Sequence, residues 1–179
     1  MKPVLFLDFD RTLFDTDQFY DWLGEERYQR ILELTSGQIQ SPDFASYLYK
    51  DTIHFLKSVR KTYRIVILTY ALNTVLQRKK IRGSGIIPLC DDVIITKGGE
   101  GDGTGKGVAA KDYIARIGDS GWEHAFVDDS AQNIDEVKRV NPEIRCIRID
   151  RVPPSPATHD TYLPPDGVVV NLTLLGELL

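Results

Sequence analysis

Five short apolar runs recur along the chain with helix-like sequence between them: VLFL (4–7), RIVILT (64–69), DVIIT (92–96), HAFVD (124–128) and IRCIRI (144–149). They are β-branched and nearly continuous rather than alternating, the pattern of strands buried on both faces. Between them lie sequences that predict helices over 52–61, 72–82, 107–117 and 131–140. Such a βα repeat builds a central parallel sheet with helices on both sides, a Rossmann-like three-layer α/β sandwich. The tail VVVNLTLLGELL adds an expected edge strand and a closing helix with Asn171 as its cap. The proline-rich stretch 152–166 reads as an ordered surface loop or a mobile rim.

One interval breaks the rhythm. More than fifty residues separate the first run from the second, far beyond an ordinary crossover. The surplus, 14–48, carries Phe19, Tyr20, Trp22, Tyr28, Phe44 and Tyr47 around two helical stretches. It reads as a small helical module inserted after strand one, with 1–13 and 49–179 forming the main domain. Its aromatics either line a pocket or pack its own core, since a small module must find its apolar area somewhere. Within it, SPDF predicts a helix start, with Ser41 as cap and Pro42 in the first turn.

A chain of 179 residues suffices for one well-cored domain, and a net charge of −4 argues against wrapping nucleic acid. Cys90 and Cys146 fall in or beside apolar runs with no metal-ligand spacing, so they read as buried thiols in a reducing compartment. The opening MKPVLFLDF is neither a signal peptide nor a membrane span, and a cytoplasmic location is the expectation. His54, His124 and His159 are too scattered for a zinc site. Nothing in the sequence bears on oligomeric state.

Ligands of parallel α/β sheets bind beyond the carboxyl ends of the strands, so the residues that follow each strand are the candidates for chemistry. Asp8 and Asp10 follow the first, Thr69 ends the second, and Asp128 with Asp129 end the fourth. Lys106 lies in the glycine-rich loop beyond the third. Four carboxylates at one rim repel one another unless something positive joins them, and hard oxygen donors at this density suit Mg²⁺ shared with a phosphate. Asp8 could then reach phosphorus while Asp10, two residues on, stands near the bridging oxygen for proton transfer. Thr69 and Lys106 supply the donor and cation that the transferred phosphoryl group needs.

The segment KGGEGDGTGKG invites a second reading, as a nucleotide loop. A G-x-x-x-x-G-K-[ST] frame ending at Lys106 puts Glu100 where its first glycine belongs and Gly107 where its hydroxyl belongs. Both ends fail. The glycines are instead expected to relax the backbone into positive-φ turns and to let Lys106, rather than Lys97, enter the carboxylate cluster.

Taken together, DFDRTLFD, the Thr69 of IVILTY, Lys106 and FVDDSAQNI resemble, in order, the four motifs of the haloacid dehalogenase-like (HAD) hydrolases, across nearly the whole chain. The resemblance implies that Asp8 is the nucleophile of an aspartyl-phosphate and Asp10 the acid/base, its backbone carbonyl also serving the metal. It implies that Thr69 binds phosphoryl oxygens, that Lys106 bridges phosphate and nucleophile, and that Asp129 ligates Mg²⁺ directly. Asp128 is either a second ligand or an orienting neighbour. The insertion falls where the family places a cap, here reduced and helical. Two positions depart from the pattern. Arg11 stands where glycine is common and either meets a substrate anion or pairs outward; Tyr70 follows Thr69 where a small polar residue is common and edges the phosphate pocket.

The expected activity is Mg²⁺-dependent hydrolysis of a small phosphorylated metabolite or nucleotide, with no membrane partner. A phosphomutase or phosphotransferase would share these residues, and a non-catalytic phosphate-binding module would be expected to lack the nucleophile or the lysine. A phosphoacceptor signalling domain needs its acceptor Asp after the third strand, where Thr96 and Lys97 stand.

Overall fold

A computed structural model describes residues 2–97, 105–118, 121–151 and 162–179. Six parallel strands form one sheet: β1 (Val4–Leu7), β2 (Arg64–Tyr70), β3 (Asp92–Thr96), β4 (Ala125–Asp128), β5 (Arg145–Ile149) and β6 (Gly167–Val169), in the spatial order β3-β2-β1-β4-β5-β6. The three-layer α/β expectation holds, and so does the edge strand in the tail.

The alternation of side chains along each strand splits the core into two halves. Leu5, Leu7, Ile65, Ile67, Val127 and Ile147 face one side with α3 (Thr52–Val59), α4 (Thr74–Gly83) and α7 (Leu172–Leu178). Val4, Phe6, Val66, Leu68 and Phe126 face the other, covered by α5 (Lys106–Ile117) and α6 (Ala131–Val140). The cap expected at Asn171 is present, its side chain accepting from the Leu174 amide. Among the described residues no helix is long and apolar enough to cross a membrane. Cys146 is buried, Cys90 half-buried, and both are free thiols.

The insertion contributes α1 (Thr16–Leu23), α2 (Arg27–Ser36) and a 3₁₀ turn (Phe44–Tyr47). The chain leaves and returns side by side, Phe14 bridging Leu48 and the Asp15 amide donating to the Tyr47 carbonyl. The start predicted at Ser41 lies elsewhere: Asp43 caps the turn, its carboxylate accepting from the Ala45 amide, and the segment is too short for an α-helix. The aromatics divide between the two expected roles. Phe19 packs against Phe14, Phe44 and Tyr47 at centroid distances of 5.8, 5.8 and 5.6 Å and joins the sheet's own core. Tyr20 and Tyr28 instead line an open cleft.

Candidate active site

Parallel registry determines which residues meet. Leu7 lies level with Ile67 of β2 and with Val127 of β4, so Asp8 emerges beside Asp128, its amide donating to the Val127 carbonyl at 2.9 Å. β1 sits where the strand order reverses, with β2 and β3 on one side and β4 to β6 on the other. A crevice opens at such a switch point. Here it is a cleft of ≈ 520 Å³, with Asp8, Asp10, Lys106 and Asp129 on its floor. Tyr28 and Ile31 of the insertion line it together with Tyr70 and Leu72.

Lys106 is buried at the start of α5, its ammonium 2.5 Å from Asp8 Oδ1 and 2.6 Å from Asp128 Oδ2. A cation at a helix N-terminus opposes the macrodipole. Glu136 of α6 offsets this, its carboxylate accepting from the Gly107 amide at 2.8 Å. The two glycines described in this region do not serve positive-φ turns, contrary to expectation. Gly105 has φ −71°, and a Cβ there would lie 2.1 Å from Glu136 Oε1. A Cβ on helical Gly107 would lie 2.9 Å from the Glu136 carbonyl oxygen. Both are small because α5 must approach α6 closely enough to deliver Lys106. The other four glycines of the stretch lie outside the described residues.

Asp128 is fully buried and oriented by its neighbours: Oδ1 accepts from the Ser130 amide at 2.9 Å, and the Asn133 amide reaches both oxygens at 3.0 and 3.1 Å. Asp8, Asp128 and Asp129 each offer an oxygen within 4.8 Å of the others. Burial drives the Asp8 carboxyl well above the usual range; Lys106 opposes the shift and Asp128, Asp129 and Asp10 reinforce it. Asp129 is pushed up to about 7 by burial and by Asp128. Lys106 is held above its ordinary value because Asp128 and Asp8 outweigh the effect of burial.

Asp10 lies outside that cluster of three. Its Oδ1 accepts from Thr16 of α1 at 2.5 Å and pairs with Lys80; its Oδ2 accepts from Gln77 at 2.7 Å. Burial alone would raise its carboxyl, but Lys80 and these hydrogen bonds lower it below the usual range. Thr69 is buried at the end of β2, and its hydroxyl accepts from Gln77 at 3.0 Å, leaving its own proton to donate. Arg11 edges the cleft with its guanidinium on Asp17 at 2.8 Å, and at φ 57° it holds the left-handed conformation that suits glycine. Neither Gln77, nor Lys80 as a partner of Asp10, nor Asn133 was anticipated. The first two share the buried stripe of α4 with Leu76 and Ile81, a periodicity that could have marked them.

The fold has solved counterparts. A protein of Burkholderia xenovorans assigned to the haloacid dehalogenase-like hydrolases superposes with a TM-score of 0.76 at 19% identity, covering 99% of this chain and 97% of that one. The chain has the haloacid dehalogenase-like fold. Also similar are the HAD-hydrolase YfnB of Bacillus subtilis, bound to magnesium (TM-score 0.68, 14% identity, 99% and 98% covered), and an L-2-haloacid dehalogenase of Xanthobacter autotrophicus with chloropropionic acid covalently bound (0.68, 14%, 99% and 98%). No protein-family model and no curated protein matches the sequence. With this HAD-like fold goes an acidic cluster at the carboxyl edge of the sheet.

Proposed function

We propose that the protein is a phosphomonoester hydrolase acting through an aspartyl-phosphate on Asp8, with Mg²⁺ as cofactor. The observation that carries this reading is the set of three clustered carboxylates, Asp8, Asp128 and Asp129, with one buried lysine among them. One ammonium does not balance three carboxylates, and all-oxygen donors suit a hard divalent cation. The residues therefore fit Mg²⁺, with Asp8, Asp129 and the Asp10 carbonyl as its holders and Asp128 as their orienting neighbour or a further ligand. When bound, the ion supplies positive charge to the phosphoryl oxygens.

This chain's own groups do the rest. Lys106 favours the ionised form of Asp8, opposing the effect of burial, and holds it close to the transferring group. The Thr69 hydroxyl donates to a phosphoryl oxygen. As the Asp8–phosphorus bond forms and the ester P–O bond breaks, Asp10 passes a proton to the leaving oxygen. Phosphate esters titrate near pH 6, so a monoanionic ester can bring that proton with it. In the second half, water attacks phosphorus, Asp10 takes a proton from it, and Asp8 is released. The insertion walls the cleft with Tyr20, Tyr28 and Ile31 against the leaving group, and Arg11 and Tyr70 edge it.

Dehalogenation on the same fold is the competing chemistry, as the Xanthobacter relative shows for itself. Turnover of an aryl phosphate and of a haloacid in water enriched in heavy oxygen separates the two. A phosphorus-centred second step labels the released phosphate; attack on an Asp8 ester carbonyl labels Asp8. Phosphatase activity that requires Mg²⁺ and is lost in Asp8→Asn supports the reading, and activity that survives Asp8→Asn refutes it. Transfer to an added alcohol faster than to water would favour the phosphotransferase variant.

A further inference from the structure

The segment RKK at 78–80 has the composition of a solvated helix face, yet its last member is not solvated. Lys80 is 3% exposed. Its ammonium lies 5.5, 4.7 and 5.6 Å from the ring centroids of Phe9, Phe14 and Phe19, all fully buried. Aromatic faces attract a cation, but burying an ammonium is costly unless it also finds a partner. The carboxylate within its reach is that of Asp10. One turn earlier on the same face, Gln77 donates from one amide nitrogen to Asp10 Oδ2 at 2.7 Å and to the Thr69 hydroxyl at 3.0 Å. Its carbonyl oxygen lies 3.3 Å from the Lys80 ammonium as acceptor.

Two side chains of α4 thus hold both oxygens of Asp10, and one of them also holds Thr69. A carboxylate fixed at both oxygens keeps one orientation, and the phenylalanine cage denies the lysine any alternative. We propose that Lys80 and Gln77 are positioning residues that aim the Asp10 carboxylate at the bridging oxygen of the substrate and keep it in step with Thr69. The proposal rests on the hydrolase reading above, because it assigns Asp10 the proton transfer.

The test compares para-nitrophenyl phosphate, whose leaving group needs little protonation, with phenethyl phosphate, whose alkoxide needs it fully. Lys80→Met keeps the cage filled, since a thioether packs well on aromatic rings. Gln77→Met removes hydrogen bonds and no charge. General acid catalysis contributes roughly 10²–10⁴-fold, so a misaimed Asp10 should lower kcat at least ~10-fold more for the alkyl than for the aryl ester, with KM little changed. Both variants should show this, and neither should change the ester ratio further in an Asp10→Asn background. Equal losses on the two esters, a selective loss in the Lys80 variant alone, or a persisting effect without Asp10 overturns the proposal. A crystal structure of Lys80→Met with the Asp10 carboxylate unmoved overturns it independently of activity. A wild-type protein that turns over neither ester refutes the hydrolase reading, while the position of Asp10 in the variant still judges the clamp.

Discussion

Replacing Lys106 with methionine should be among the most damaging single substitutions in the protein, and the damage should depend on pH. The ammonium lies 2.5 Å from Asp8 and 2.6 Å from Asp128, and no side chain of the three is more than 6% exposed. At an effective dielectric of about 20, each contact is worth roughly 6 kcal/mol of gross attraction. Most of that offsets desolvation, and removing one partner from a buried ion cluster costs about 3–5 kcal/mol net. Asp8, already pushed up by burial, is driven further when its cation is gone. A carboxyl whose folded pKa lies above its unfolded value near 3.9 binds more protons when folded, so stability is lost as pH rises through the folded value. The penalty should therefore be smaller near pH 5 than near pH 8. Urea unfolding in a chelator, followed by the fluorescence of Trp22 and Trp122, measures it. With a slope of about 2 kcal/mol per molar urea, the midpoint should fall by roughly 1.5–2.5 M near pH 8. Added Mg²⁺ should restore part of the loss. A penalty below about 1 kcal/mol at the higher pH, or one larger at the lower pH, would refute the reasoning.

Three other outcomes follow from particular contacts. Arg151 grips Asp51 with two nitrogens at 2.8 and 3.0 Å while Asp51 also accepts from the Leu172 amide, and these contacts hold its carboxyl below the usual range against the effect of burial. The stability this supplies is present above the unfolded carboxyl value and is lost as pH falls through the depressed folded one. Arg151→Lys should accordingly lower the melting temperature at neutral pH and flatten its acid dependence; an unchanged acid profile counts against the latch. Arg11→Gly should be more stable than Arg11→Ala by about 1 kcal/mol in urea titrations, because only alanine retains the left-handed strain at φ 57°. Gly107→Ala gains about 1 kcal/mol of helix propensity but places a methyl 2.9 Å from the Glu136 carbonyl oxygen. Overpacking of about 1–3 kcal/mol should win, lowering both melting temperature and activity by withdrawing Lys106; a raised melting temperature would contradict it.

The central strands β1, β2 and β4 were readable because they are buried on both faces and so form nearly unbroken apolar runs. Helix α6 was bounded correctly at 131–140, and in the structure Ser130 caps it, accepting from the Asn133 amide. Asp8, Thr69, Lys106, Asp128 and Asp129 could be gathered in advance because parallel topology alone brings strand ends to one edge. Lys80 and Gln77 were not gathered as partners of Asp10, which lies 70 and 67 positions away; their place on the buried stripe of α4 is the one local signal that sets them apart. Gly105 and Gly107 misled for a related reason: a need for positive φ and a need for close helix contact select the same residue. The 3₁₀ turn at Phe44 escaped because a proline near a possible cap is equally compatible with turns and helices.

The central claim is that a covalent bond forms between Asp8 and phosphorus. Acid quenching during steady-state hydrolysis of an aryl phosphate, borohydride reduction and peptide mass spectrometry test it directly. An acyl phosphate at Asp8 would be reduced to the alcohol at that position and at no other carboxylate, and the product would vanish when Mg²⁺ is chelated. Turnover without any reduced carboxylate at Asp8, or with the label on Asp10 or Asp129, would contradict the account.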